Sequence, residues 1–252
     1  MTKFPQFSIL IFTIFLITSC GGVKDYQSSA KPITHELWDS LVQAHVSETG
    51  KVNYKGFIKD SVQLNKYLNL IGKNHANDSW TKEQRLAYWI NAYNAFTVKL
   101  IIDNYPVKSI KDIKKGLSLI STVWDIEFIN IEAAKYSLGN IEHDILRKRF
   151  EEPRIHFAIN CASVSCPILL NEAYTPKKLE EQLTKQSKAF INNPEKNKIT
   201  ANQLELSKIF KWFKGDFEKN GNRIDFLNKY AKVKINADAN YDYMDYDWNL
   251  NE

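Results

Sequence analysis

Cysteine is scarce in this chain: three among 252 residues. That excludes a small secreted scaffold held together by many disulfides. Nine glycines and seven prolines exclude a collagen-like or proline-rich chain. There is no long basic run, and 34 basic against 29 acidic residues leave a formal charge of only +5. Nothing in that pattern grips a phosphate backbone, so no nucleic-acid partner is expected. No GxGxxG, P-loop, GxSxG or HExxH pattern occurs, so the common nucleotide, serine-hydrolase and zinc-protease signatures are missing. What is present is ordinary for a folded domain: 44% apolar and 25% charged residues, with 14 Phe, 12 Tyr and 6 Trp to build a core.

The first residues read as an address. Lys3 is the only charge before Lys24, and Phe7 to Ile17 is apolar apart from Ser8 and Thr13. A basic start followed by a short apolar core is a secretory signal, shorter than the roughly 20 residues a spanning helix needs. It ends in Leu16-Ile17-Thr18-Ser19-Cys20-Gly21. This resembles the lipobox of bacterial lipoproteins, which implies cleavage before Cys20 and lipid on Cys20. Residues 1–19 are then a signal peptide, and 20–32 a lipidated cysteine with a small, polar tether. The expected location is the bacterial cell envelope, lipid-anchored, at the outer membrane facing the periplasm. An exported chain is expected in an oxidising compartment.

Residues 33–252 show no second linker and no repeat, so one domain is expected. Ile33, Leu37, Leu41 and Ala44 recur at helical spacing. Asp60 or Ser61 caps a helix carrying Leu64, Leu68 and Ile71. Thr81 caps the strongest helix, with Leu86, Ile90, Tyr93, Thr97 and Leu100 on one stripe. Alternation over Val123–Ile131 and over Arg154–Asn160 predicts strands, with others at Lys135–Leu138 and Lys232–Ile235. Helices are expected over Ile141–Phe150, Lys178–Ile191 and Leu206–Phe217. Helices dominate without regular strand–helix alternation. The expected fold class is therefore α+β, a mostly helical single domain packed on a small, largely antiparallel sheet.

Candidate chemistry gathers in Arg154–Pro167, which holds both remaining cysteines, Cys161 and Cys166, among small polar residues. Upstream lies Glu142-His143-Asp144. A thiol nucleophile needs a base and an orienting group. The candidates are Cys161 or Cys166 as nucleophile, His143 or His156 as base, and Glu142 or Asn160 as orienter. Cys161 follows the expected strand directly and is assigned the nucleophile. Cys166, stiffened by Pro167, is assigned the supporting role. Three other readings stay open: a Cys161–Cys166 disulfide, a zinc site of His143, His156, Cys161 and Cys166, and two buried core thiols. No cofactor is otherwise expected. Asp242, Asp245 and Asp247 are read as a solvated tail rather than a calcium site. His35, His45 and His75 are read as isolated and exposed.

Four segments together resemble the family called Domain of Unknown Function 547, in its bacterial lipoprotein branch. They are Tyr88–Ala95, Ile141–Arg147, Arg154–Pro167 and Tyr246–Asn251. The resemblance spans roughly Trp38 to Asn251. It implies site positions at Asn91, Glu142, His143, Arg154, His156, Cys161 and Cys166, and it implies no particular reaction. The resulting expectation is a cysteine-dependent hydrolase or acyltransferase acting on a peptide-like envelope substrate, catalysed by Cys161, His143, His156 and Glu142. Cys166, Asn91, Arg154 and Asn160 would support them. The alternative is a non-catalytic binding or scaffold lipoprotein whose Cys/His cluster is structural. Partners would be the membrane, through the lipid, and an envelope substrate or protein.

Overall fold

A computed structural model describes residues 27–114 and 122–252. The signal segment and Cys20 lie outside the described residues. The fold is α+β, as expected, but its strands form two small sheets rather than one.

Helix α4 (Lys82–Asp103) is the axis of the molecule. Thr81 starts it with a capping box: its hydroxyl accepts from the Gln84 amide, and the Gln84 side chain accepts from the Thr81 amide. Leu86, Ile90, Tyr93, Thr97 and Leu100 are all buried, as their spacing requires. Burial does not stop at that stripe. Every residue from Ala87 to Val98 is buried, Asn91 and Asn94 included. Helices α2 (Tyr54–Lys59) and α3 (Ser61–Gly72) pack on α4, and α1 (Glu36–His45) packs on those two. In α1 the buried stripe is Trp38, Leu41 and Val42, whereas Leu37 is exposed. Trp38 decides the rotation, because its ring stacks between Phe57 and Tyr67.

The hairpin of β1 (Ile129–Ile131) and β2 (Ala134–Tyr136) closes this first core. The strand expected from Val123 is shorter than the alternation implied. Thr122 and Asp125 cap each other and turn Val123–Asp125 into a 3-10 helix instead. Next comes a π-helix, Asn140–Leu146, running into α5 (Arg147–Phe150).

The segment Arg154–Asn160 is not a strand. Pro153–Phe157 is a 3-10 helix, with proline at its start and Glu152 accepting from the Arg154 amide. All residues from Ile155 to Asn160 are buried, so no solvent face exists to alternate with. Ile155, Ala158 and Ile159 enter the first core at helical spacing, while Phe157 enters a second.

That second core lies under β3 (Lys198–Ile199), β4 (Gln203–Leu206) and β5 (Asn240–Tyr243). β3 and β4 are antiparallel; β5 joins β4 in parallel. Helix α6 (Leu179–Ile191) reaches it from one side. The single helix expected over Leu206–Phe217 is broken. Leu206 ends β4, and Phe213 separates α7 (Ile209–Trp212) from α8 (Lys214–Phe217). Helix α9 (Arg223–Asn228) follows. Lys232–Ile235 is not a strand, because the Asn228 side chain takes both the amide and the carbonyl of Ile235. A ladder partner is thereby replaced by one amide side chain.

Candidate functional site

The two sulfurs of the Arg154–Pro167 segment are joined: Cys161 and Cys166 form a disulfide, with their Cα atoms 6.2 Å apart. The loop they close is caged by Asn160. Its amide side chain donates to the Pro167 carbonyl at one end (2.7 Å) and accepts from the Ala162 amide at the other (2.8 Å). Ala162 sits at φ 60°, a left-handed conformation that costs an L-residue roughly 1–2 kcal/mol and must be imposed by its surroundings.

The sulfurs are unequal. Cys166 is buried, whereas Cys161 is half-buried. Two donors converge on Cys166 Sγ, the Cys161 amide at 2.9 Å and the Tyr246 hydroxyl at 3.3 Å. Ser163 Oγ in turn donates to the Tyr246 hydroxyl (3.3 Å). Cys161 Sγ lies 3.3 Å from Ser163 Oγ and 3.4 Å from the Tyr246 hydroxyl. Burial holds the Tyr246 phenol well above its usual range, so it is a donor and not a base.

No imidazole hydrogen-bonds either sulfur, contrary to the expected Cys–His contact. His156 is buried. Its Nε2 is 2.7 Å from the Asp216 carboxylate, and its ring stacks on Phe213 at 3.9 Å. Its Nδ1 is buried without a partner. The neutral ring with hydrogen on Nε2 suits that environment, because a second N–H would be buried unsatisfied. Burial lowers the His156 pKa accordingly, against the pull of Asp216. His143 is exposed, and its Nδ1 is 3.1 Å from Arg147 Nη1. Arginine only donates, so Nδ1 accepts and the neutral ring carries its hydrogen on Nε2. Partial desolvation of the ring, then Arg147, lowers the His143 pKa.

Asp216 ties these groups together, taking two hydrogen bonds from Arg147 (2.6 and 3.0 Å) as well as His156. Burial would raise its carboxyl, but those hydrogen bonds outweigh it and hold the group well below the usual carboxylate range. The histidines thus belong to an Arg–Asp cluster joining the π-helix to α8. The zinc set is not assembled. Among the described residues no three His, Cys, Asp or Glu side chains gather where a metal could be held.

Glu142 is buried, and the Tyr93 hydroxyl donates to its Oε2 at 3.4 Å. Burial pushes its carboxyl up to about 7, with Arg147 opposing. The π-helix that aims it inward starts at Gly139, where a Cβ would meet the Trp124 carbonyl at 2.9 Å. Glu142 does not orient an imidazole. Asn91 is buried but bonds the amide and carbonyl of Tyr174, away from the cysteines. Asn94, three residues on, holds the Ala158 carbonyl and the Asn160 amide beside the loop. Arg154 braces Glu152 and Glu180 on α6 and does not reach the sulfurs.

Tyr246, Ser163 and Asn94 are the residues that sequence reasoning passed over. Tyr246 lies inside the tail segment already singled out, and only chain folding shows that it returns to the loop. His35 and His75 are also buried, each bonded to a tyrosine hydroxyl, not exposed as expected.

Among families, residues 77–191 match the model described as a protein of unknown function, DUF547. The match is narrower than the Trp38–Asn251 span of the resemblance, and it leaves Tyr246 outside. No curated protein and no solved structure matches the chain.

Proposed function

We propose that this chain, whose residues 77–191 match the DUF547 family model, is a lipid-anchored envelope protein whose Cys161–Cys166 pair exchanges disulfides with thiols of envelope substrates. The observation that supports this is the pairing of a half-buried outer sulfur with an inner one that receives two hydrogen-bond donors. In exchange, a substrate thiolate attacks Cys161 Sγ. The Cys161–Cys166 bond breaks, and its electron pair leaves on Cys166 Sγ. The substrate sulfur is oxidised to a mixed disulfide and Cys166 is reduced to a thiolate. The Cys161 amide and the Tyr246 hydroxyl are placed to stabilise that thiolate, and a better leaving group leaves faster.

The hydrolase or acyltransferase reading has less support. Among the described residues, the side chains that hydrogen-bond Cys161 Sγ are those of Ser163 and Tyr246, and neither is a base at neutral pH. The scaffold reading has one observation in its favour. The disulfide loop is stitched to the tail: Val164 donates to the Asn249 carbonyl, and Ser165 to that of Asp247.

The test is trapping. Cys166→Ser leaves Cys161 free, and with glutathione disulfide it should form a stable mixed disulfide, read by intact mass. Cys161→Ser should form little. In the wild type, dithiothreitol should reduce the pair while near-ultraviolet circular dichroism stays native. Two inert single variants, or a wild-type pair that reduces only on unfolding, would leave a structural disulfide and end the exchange reading.

A further inference from the structure

A cavity of about 450 Å³ borders the disulfide loop. Asn160, Ser163, Cys166, Asn193, Lys196 and Asn251 line it. Lys51 and Lys196 are the cations that border it, and Lys196 is the one that reaches the disulfide loop. It stands in the turn after α6, where the amides of Lys196 and Asn197 donate back to the Asn193 carbonyl. Its side chain lies across the disulfide loop, and Nζ donates to the Val164 carbonyl.

An ammonium has three hydrogens, and a neutral carbonyl satisfies one of them. Removing a cation from water is costly unless an anion compensates. Among the described residues no carboxylate forms an ion pair with Lys196, although Glu195 and Asp247 are near enough to favour its charged form. Glu195 and Glu252 also border the cavity, and Glu252 accepts from Tyr105. Desolvation lowers the Lys196 pKa, as expected of a cation short of a counterion. Lys196 therefore offers free charge-assisted donors on the wall of a cavity that the inner sulfur also lines.

We infer that Lys196 holds a carboxylate of the thiol substrate, so that the preferred substrate is a cysteine whose own carboxylate is free. This rests on the exchange reading above. A free carboxylate beside a thiol comes either from a small cysteine derivative or from a chain ending in cysteine. The ion pair holds the substrate at the edge of the disulfide loop, from which its sulfur reaches out to Cys161, and it selects against internal cysteines, whose carbonyls are amides.

The experiment measures second-order rates of reduction of the wild-type disulfide, each divided by the rate of the same thiolate with a small-molecule disulfide, which removes the difference in intrinsic nucleophilicity between acid and amide. The probes are N-acetylcysteine and its amide, and the tripeptide Gly-Gly-Cys as free acid and as C-terminal amide. Each acid should react about ten-fold faster than its amide, the factor that one half-buried charge-assisted contact provides. A larger preference within the peptide pair identifies a chain terminus as the source, and one within the small pair a free thiol. Lys196→Met should abolish the preference by slowing only the acids, and Lys196→Arg should retain it. The amide rates report that the variants are folded. Equal wild-type rates for acid and amide, or a preference that survives Lys196→Met, overturn this inference and leave exchange standing. No reaction with any probe overturns exchange itself.

Discussion

Glu142 shows how one side chain ties the site to solution conditions. Its carboxyl is buried and pushed up to about 7 from an ordinary 4.5. The folded protein therefore holds this proton more tightly than the unfolded chain does. Its contribution to stability is complete below about pH 4.5 and is lost as pH rises through about 7. The size is on the order of 3 kcal/mol, from the free energy per pKa unit. Asp216 and His156 shift the other way, each losing stability as pH falls, and both remain in any Glu142 variant. Glu142→Gln keeps an acceptor for the Tyr93 hydroxyl and removes the titration. Urea denaturation from pH 4.5 to 8 should show the wild type losing stability relative to this variant by that amount. Parallel stability curves would show that Glu142 does not titrate as its burial requires.

Helix α4 separates the weight of capping from that of packing. The Thr81–Gln84 box satisfies two amides at the helix start, in an exposed position. Thr81→Ala should cost about 1 kcal/mol. Leu86, one turn further in, is 3% exposed, and Leu86→Ala should cost about 2–5 kcal/mol through lost transfer energy and a cavity. Urea midpoints should rank the two in that order, and the reverse order would mean that α4 is held by its end rather than by its burial. Burial also explains the amides on this helix. Asn91 and Asn94 are tolerated inside because each finds a carbonyl and an amide on a neighbouring segment. Helix periodicity located α4, but it could not say which carbonyl each amide would meet, because those partners are more than sixty residues away.

Across the whole molecule, both ends of the described chain are held by long-range hydrogen bonds. The C-terminal tail runs past three separate regions. Asn251 accepts from Val52, Leu250 donates to Lys108, and Asn249 and Asp247 receive the disulfide loop. That stitching brings Tyr246 to the sulfurs. At the other end, Trp80 and Asn77 hold the Ala30 carbonyl, which fixes where the chain enters the domain. No helix among the described residues is long and apolar enough to cross a membrane. Gln27 lies seven positions after Cys20, a reach of at most roughly 25 Å, so a lipid on Cys20 would keep this face of the domain close to the bilayer. Cys20→Ala should move the protein from the membrane to the soluble fraction on ultracentrifugation, with its thermal midpoint unchanged. A variant that stays on the membrane would refute anchoring through Cys20.

Local pattern was enough wherever one element carries its own signal. The Thr81 cap of α4, the α6 helix and the α+β class were all legible, because spacing and residue chemistry act over a few positions. It misled at Arg154–Asn160, where alternating residue types resembled a strand. Two cores bury that segment on all sides, so proline and helical spacing prevail there. It misled again on the bases. His143 and His156 are near the cysteines in sequence, but Asp216 and Arg147 satisfy them elsewhere. Only the tertiary structure joins the sulfurs, brings Tyr246 to them and places Lys196 beside their loop, since these contacts close over as many as 85 residues and no local period records such a closure.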